Sequence, residues 1–524
     1  MNKKDTNNLF KSFSIMSVLT LISRILGYVR DLFFAFIFGA TPIADSFLLA
    51  FRIPNFFRRL FAEGAINNAF IPIYLSISNR KDKEASKKFS GSLFLILILG
   101  LVFVLILGEL FMLEIVKFLA PNFTSDMQVK TANLASIMFP YLIFISASSF
   151  IGAMLNANKR FLMWTFLPIV LNLFMVLGMV FSFQKSLDVG VTLSFSVLLA
   201  GFVQLILILF WSRYVKINFI FTMPKLSGEI KKFFKLLFPN LLAGGVVQIN
   251  QFIGVIFASS IPGAISWLYY ADRIVQLPLG IFIISITTIL LTSLSTPSLK
   301  RSKVKIKKQI EKSLEIVLGI SLLSCIGLFV LSDLIIDILF RRGQFGFGDV
   351  RATSEALIMY AIGLPAFALI KIFSTIFFSW QDTKTPFRIS FFSMILNFIL
   401  INIFINDLGH LGIALSLSLS SWVNALFLYF FMHLRGYWKI DFNFIKKLLK
   451  LIFVFIITLN LVNSIEYLVL FFDLISTSNF FKKILLLFYL AIAATISFTF
   501  FCVAFRIFRL KDLRKENLFK MFKE

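Results

Sequence analysis

Long apolar runs alternate along this chain with short polar breaks, most of them basic. A run of about 20 predominantly apolar residues is enough to cross a hydrocarbon core as a helix. By that measure the pattern predicts spans near 15–38, 44–78, 90–113, 131–156, 163–184, 190–212 and 233–259. Seven more follow near 264–296, 313–339, 353–379, 387–405, 411–434, 449–470 and 482–506, fourteen in all. The breaks are too short to hold a folded domain; the longest, near 213–232 and 297–312, are basic. The opening MNKKDTNNLFKSF is charged, but no short apolar core with a small-residue cleavage site follows it. The first run is therefore expected to be a retained helix and not a signal peptide.

Charge fixes the expected orientation. Of the 52 lysines and arginines, 37 fall in the N-terminus, every second loop and the C-terminus, 8 in the alternate loops and 7 inside spans. A bias that alternates loop by loop is the positive-inside pattern. It places both termini in the cytoplasm and requires an even number of spans. Composition agrees: 59% of residues are hydrophobic and 15% charged, with mean hydropathy +0.90, against roughly 25% charged in soluble domains. A net charge of +26 would suggest nucleic acid if it formed a basic face on a soluble domain. Here it is spread over short loops, so no nucleic-acid partner is expected. Cys325 and Cys502 lie in separate apolar runs and indicate no disulfide framework. His410 and His433 are isolated, so no metal site is expected.

The chain repeats itself. Ala50-Phe-Arg-Ile-Pro-Asn55 matches Ala271-Asp-Arg-Ile-Val-Gln276, and Gly190-Val-Thr-Leu-Ser-Phe-Ser196 matches Gly412-Ile-Ala-Leu-Ser-Leu-Ser418. Pro140, Lys159 and Asn172 recur as Pro365, Lys384 and Asn397. The near-constant offset corresponds to six spans, so the two halves share orientation, as in transporters built from parallel repeats. The expected organisation is a lobe over 1–222, a second over 223–440, and two extra spans with a basic tail over 441–524.

One stretch departs from the apolar pattern. Between Ser23 and Glu63 lie Arg24, Arg30, Arg52, Arg58 and Arg59, with Asp31, Asp45 and Glu63 among them. Seven residues advance a helix by about 700°, so Asp45, Arg52 and Arg59 share one stripe and Glu63 extends it. Asn55 and Arg58 flank the stripe, and Pro54 is expected to kink it. A central arginine costs about 2.5–3.5 kcal/mol on insertion scales, so these residues must face a hydrated cavity, partner one another, or both. Ion pairs Arg24–Asp31, Arg30–Asp45 and Arg59–Glu63 are the structural alternative. They leave surplus positive charge, to which Arg273, beside Asp272, and Lys371 add. Surplus arginine suits a bulky anion such as pyrophosphate, which guanidinium grips bidentately.

The runs SRILGYVRD and FGATPIADSFLLAFRIPNFFRRLFAEGAINNAFIPI resemble the signature of the MurJ/MviN lipid II flippases, within the superfamily of multidrug and oligosaccharidyl-lipid exporters. Ser266-Trp-Leu-Tyr-Tyr-Ala-Asp-Arg-Ile274 and Gln381-Asp-Thr-Lys-Thr-Pro386 resemble its later motifs, and the resemblance covers nearly the whole chain. It implies an all-α protein of fourteen spans, two six-helix lobes around a cationic cavity, and a polyprenyl-tail groove at the last two spans. It implies transport of undecaprenyl-pyrophosphate-linked disaccharide-pentapeptide across a bacterial inner membrane for peptidoglycan synthesis, with no enzymatic chemistry. The implied substrate contacts are Arg24, Arg30, Asp45, Arg52, Arg58, Arg59 and Arg273. Asp31, Asn55, Glu63, Ser266, Asp272 and Lys371 are expected in support. Gln276 and Trp380 depart from the family pattern, in which glutamate and arginine are common. No cofactor is expected. Coupling to the membrane potential or to a monovalent cation is expected instead, with Asp382 the one candidate ion ligand and a helix cap its bland alternative. Lipid II and membrane lipids are the expected partners of a monomer. Competing classes are an exporter of another lipid-linked oligosaccharide, a drug–cation antiporter, a polyprenyl-phosphate enzyme and a non-transporting scaffold. The drug exporter should carry surplus acid in its cavity, and the enzyme should carry a catalytic cluster at a membrane face.

Overall fold

The computed structural model describes residues 3–62, 65–79, 83–158, 160, 162–220, 222–223, 227–294, 302–471 and 479–507. Every regular element among them is helical. The chain opens with α1 (Lys3–Phe38), α2 (Pro42–Ala62) and α3 (Ala65–Asn79). Then come α4 (Lys83–Leu110), α5 (Met112–Leu119), α6 (Ser125–Met138), α7 (Tyr141–Ala157), α8 (Leu162–Lys185), α9 (Val189–Tyr214) and α10 (Gly228–Ala258). The later helices are α11 (Ala264–Pro278), α12 (Ile284–Leu294), α13 (Lys303–Val330), α14 (Ser332–Phe340) and α15 (Phe347–Ser379), followed by α16 (Lys384–Leu408), α17 (His410–Leu434), α18 (Phe442–Phe471) and α19 (Phe480–Ala504).

Twelve helical stretches among the described residues are long and apolar enough to cross a membrane. The protein is an all-α polytopic membrane protein. The polar residues of α1 and α2 set these helices apart from the twelve.

Several expected spans turn out to be two helices in series. The run 44–78 divides into α2 and α3, and 131–156 divides at Pro140 into α6 and α7. Proline lacks the N–H that a helix interior needs but is tolerated where a helix begins. Pro54 lies within α2. After Pro278 the chain makes a π-helical turn, Leu279–Ile283, before α12.

The chain divides into two compact units, Met1–Ser266 with Arg342–Gln344, and Trp267–Arg341 with Phe345–Glu524. The repeat places a lobe boundary at 222/223, whereas packing puts α10 in the first unit. Its Ile230, Phe233 and Leu237 are buried in one core with Ile66, Phe70, Phe89 and Phe150. In this unit α7 is buried along most of its length. A Cβ at Gly152 would lie 2.6 Å from the Trp164 ring, so this glycine permits a close contact between α7 and α8. Residues 341–346, between α14 and α15, form a turn. Gly343 there has φ of +58°, and the Gln344 N–H donates to Phe36 O at the end of α1.

The second unit is built on α15, against which α12, α13 and α17 pack, while α18 and α19 form a further apolar layer on α13. Each unit, taken by itself, repeats one arrangement: α9 packs on α7 and α8, as α17 packs on α15 and α16. Both cysteines are buried and free. Outside the spans, Asp441 precedes α18, where the Lys307 ammonium at 2.6 Å and the Phe444 N–H hold its carboxyl below the usual range.

Candidate functional site

The charged residues of α1 form a buried knot. Arg30 and Asp31, 7% and 3% exposed, pair at 2.7 Å. The Arg30 guanidinium also donates to Asn172 Oδ1 at 3.0 Å, and Asn172 Nδ2 donates back to Ser23 O at 3.0 Å. Gly27 lets Asn172 approach, since a Cβ there would sit 3.3 Å from Nδ2. Asp31 thus takes Arg30 where the spacing suggested Arg24. Arg24 itself is exposed. Asn172 entered the sequence argument only through the repeat; its sole signal was an amide in an apolar run.

Asp45 has a different task from orienting arginines. The residue is 1% exposed, and its carboxylate accepts from the Gly263 N–H at 2.7 Å, the Ser266 N–H at 2.9 Å and the Ser266 hydroxyl at 2.6 Å. It thereby caps the start of α11 from another helix and meets the positive end of the helix dipole. Asp45→Ala should leave these buried donors unmet and destabilise the protein by about 1–3 kcal/mol. Thermal unfolding in detergent checks this, and an unchanged midpoint would remove the capping role.

Further along α2, Arg52 and Arg59 turn to one neighbour, α10. Arg52 donates to Gln251 O at 3.4 Å, and Arg59 donates to Gln251 Oε1 at 2.9 Å and Gln248 Oε1 at 3.4 Å. The seven-residue spacing is what lets both reach the same partner. Arg58 donates to Asn55 Oδ1 at 2.8 Å, and Asn55 is anchored to Phe51 O. All three arginines are partly exposed, and these acceptors are neutral. Glu63, expected to end the stripe, lies outside the described residues. Gln248 and Gln251 are absent from the expected site residues; their signal was two amides one helical turn apart.

In the second unit, Arg273 donates to the Tyr269 hydroxyl at 3.0 Å and lies 4.8 Å from the centre of its ring. Gln276, where glutamate is common in the family, donates to Asp272. Lys371 is exposed on α15. Trp380 stacks on Tyr437 at 4.8 Å. Asp382 accepts from the Thr385 N–H at 3.1 Å, at the start of α16, and pairs with Arg435. This is the geometry of the helix-cap alternative. The His410 Nε2–H donates to Ala352 O at 2.9 Å. Among the described residues there is no cluster of three or more histidines, cysteines or acids able to hold a metal.

The arginines of α1, α2 and α11 are thus carried by a polytopic helical membrane protein. The sequence profile of the family described as "Lipid II flippase MurJ" matches residues 34–490, and the chain belongs to that family. It is 37% identical over 426 residues to the probable lipid II flippase MurJ of Rickettsia prowazekii, covering 80% of this chain and 83% of that one. It is 36% identical over 452 residues to the corresponding protein of Rhizobium meliloti, covering 85% and 84%. Among solved structures it is similar to a lipid II flippase MurJ in an inward closed conformation, with TM-score 0.79 and 26% identity over 94% of this chain and 98% of that one. A multidrug resistance MATE family transporter shares the fold alone, with TM-score 0.68 at 13% identity.

Proposed function

We propose that this protein moves lipid II from the cytoplasmic to the outer leaflet of the bacterial inner membrane, for peptidoglycan synthesis. Membership of the flippase family carries the reading, and the arginines of α2 supply its chemistry. A pyrophosphate needs several guanidinium contacts at once. Arg52 and Arg59 lie two turns apart on one face, oriented by Gln248 and Gln251, while Arg58 is oriented by Asn55. Neutral amides can aim a guanidinium without cancelling its charge. Arg24 and Arg273 are further candidate contacts for the transported lipid, as the family resemblance implies. Alternating exposure of the stripe to the two faces is the proposed mechanism. Fourteen spans, both termini cytoplasmic, a monomer, and lobes meeting near residue 222 complete the proposal. The membrane potential is the proposed driving force, because a cationic carrier responds to it with about 2.3 kcal/mol per charge per 100 mV.

Depletion with rescue tests the function. Lipid II is expected to accumulate on the inner leaflet when the protein is withdrawn. Arg24→Ala and Arg273→Ala should fail to relieve this at normal membrane abundance, each losing roughly 10- to 100-fold in transport for a lost charge-assisted contact. Full relief by both variants would remove the arginine assignment.

A further inference from the structure

The arginines proposed to hold the anion also hold a helix. Near its middle α10 carries Gly244-Gly245. Before the glycines, Ile230, Phe233 and Leu237 are buried in the core with residues of α3, α4 and α7. Beyond them Val247 and Ile249 are exposed, and polar bonds join this half of the helix to α2. Arg59 Nη1 donates to Gln251 Oε1 and Gln248 Oε1, and Arg52 Nη1 donates to Gln251 O. Phe252 lies beside them, its ring centre 5.4 Å from that of Phe56. A Cβ at Gly244 would meet nothing within 4 Å, and one at Gly245 would meet only Leu60 Cδ1 at 3.8 Å, an ordinary contact. Close packing therefore requires neither glycine. A glycine pair inside a helix weakens it locally and lets it bend.

We infer that Gln248 and Gln251 are positioning residues that form a latch, released when the pyrophosphate of the lipid competes with α10 for the same guanidinium N–H groups. This rests on the function proposed above and names how its site reports that it is filled. A guanidinium meets a phosphate through two parallel N–H groups. On Arg59 one of the two terminal nitrogens, Nη1, is committed to both glutamines. Full engagement of the anion therefore takes Nη1 from α10. A pyrophosphate that reaches Arg52 as well, seven residues earlier on the same face, takes its Nη1 from Gln251 O. The exchange favours the anion, because the amide and carbonyl oxygens carry no net charge and the phosphate oxygens do. The polar bonds between α10 and α2 are then lost. The glycine pair lets the second half of α10 move while the buried first half stays in place. Holding the latch closed also lowers the apparent affinity for lipid, since only the unlatched arginines are fully competent to bind.

Competition and simple alignment predict opposite signs. The full-length protein in lipid nanodiscs is given lipid II, with undecaprenol, which has the tail without the phosphates, as control. In Gln248→Leu combined with Gln251→Leu the competing amides are gone, and lipid II should bind about 3- to 10-fold tighter than to wild type, the worth of roughly one hydrogen bond. Amides that only aimed the guanidinium would make the same variant bind more weakly. By linkage, lipid II must loosen the α2–α10 contact of the intact latch by the same factor. Phe56→Cys with Phe252→Cys reads this contact through the rate of bridging by a short, reducible, bifunctional thiol reagent; Cys325 and Cys502 are buried. Lipid II should slow bridging about 3- to 10-fold, and undecaprenol should leave it unchanged. Bridged protein in vesicles should not transport lipid II, and reduction should restore transport. Weaker or unchanged binding in the double glutamine variant overturns the latch. So does bridging that lipid II leaves unchanged or that undecaprenol slows equally, and so does transport by bridged protein at the unbridged rate. Failure of wild type to bind or move lipid II would overturn the flippase function itself, a result distinct from these.

Discussion

Protein carrying Arg52→Ala and Arg59→Ala together is expected to flip lipid II at least about 100-fold more slowly than wild type, since each charge-assisted contact contributes about 1.5–3 kcal/mol. Folding should survive. Both side chains are partly exposed and their partners on α10 are a backbone carbonyl and two glutamine amides. Uncharged acceptors left behind near polar surface cost far less than a buried acid stripped of its cation. Reconstituted transport, read beside thermal unfolding of the same preparations, separates the two effects. The lysine versions separate geometry from charge. Arg52→Lys and Arg59→Lys keep the charge and lose the planar fork. If the phosphate is gripped bidentately, they should fall between wild type and the alanine pair. If only net charge matters, they should match wild type. Alanine variants transporting within about threefold of wild type, less than 1 kcal/mol, would mean that this stripe does not carry the anion.

Much of the architecture was readable because membranes impose a coarse constraint. Apolar length and loop charge locate helices in lipid without any knowledge of packing, and the repeat relates distant segments without coordinates. Breaks inside spans were harder to read. Pro140 sits in uninterrupted apolar sequence, and hydropathy registers neither the helix break there nor the π-helical turn after Pro278. Packing was also hidden. By internal homology α10 opens the second half, yet its aromatic face is buried with α3, α4 and α7 in the first unit.

The site was legible as a set of residues and illegible as a set of bonds. Spacing correctly aligned Arg52 with Arg59, because a helix fixes the angle between positions seven apart. It could not say which of several helices each residue would meet. Asp45 looked like a counter-ion and holds the backbone of 263–266. Asp31 looked like the partner of Arg24 and holds Arg30. Both misassignments come from pairing acids with arginines first, when a buried carboxylate is equally well satisfied by N–H donors. Gln248, Gln251 and Asn172 were overlooked for the complementary reason: neutral amides carry no charge to count.

Asp31→Ala is expected to have the largest effect on stability, about 3–5 kcal/mol, because it removes the carboxylate paired with the buried Arg30 cation. Arg30→Met combined with Asp31→Leu removes both charges and fills the space with apolar groups. Such replacements of buried ion pairs are commonly neutral or stabilising, and Asn172 keeps its bond to Ser23 O. The double variant should therefore unfold near the wild-type temperature while Asp31→Ala unfolds well below it. A double variant as unstable as the single would show that the pair's hydrogen bonds, and not its charge balance, hold α1 to α8. Transport by the double variant then settles what Arg30 is for. Arg30 is 7% exposed and its guanidinium is directed at Asp31 and Asn172, the geometry of a residue that positions α1. We expect transport to return with the fold. A stable double variant that still cannot flip lipid II would show that Arg30 leaves this knot during the cycle to meet the pyrophosphate, as the family resemblance implies.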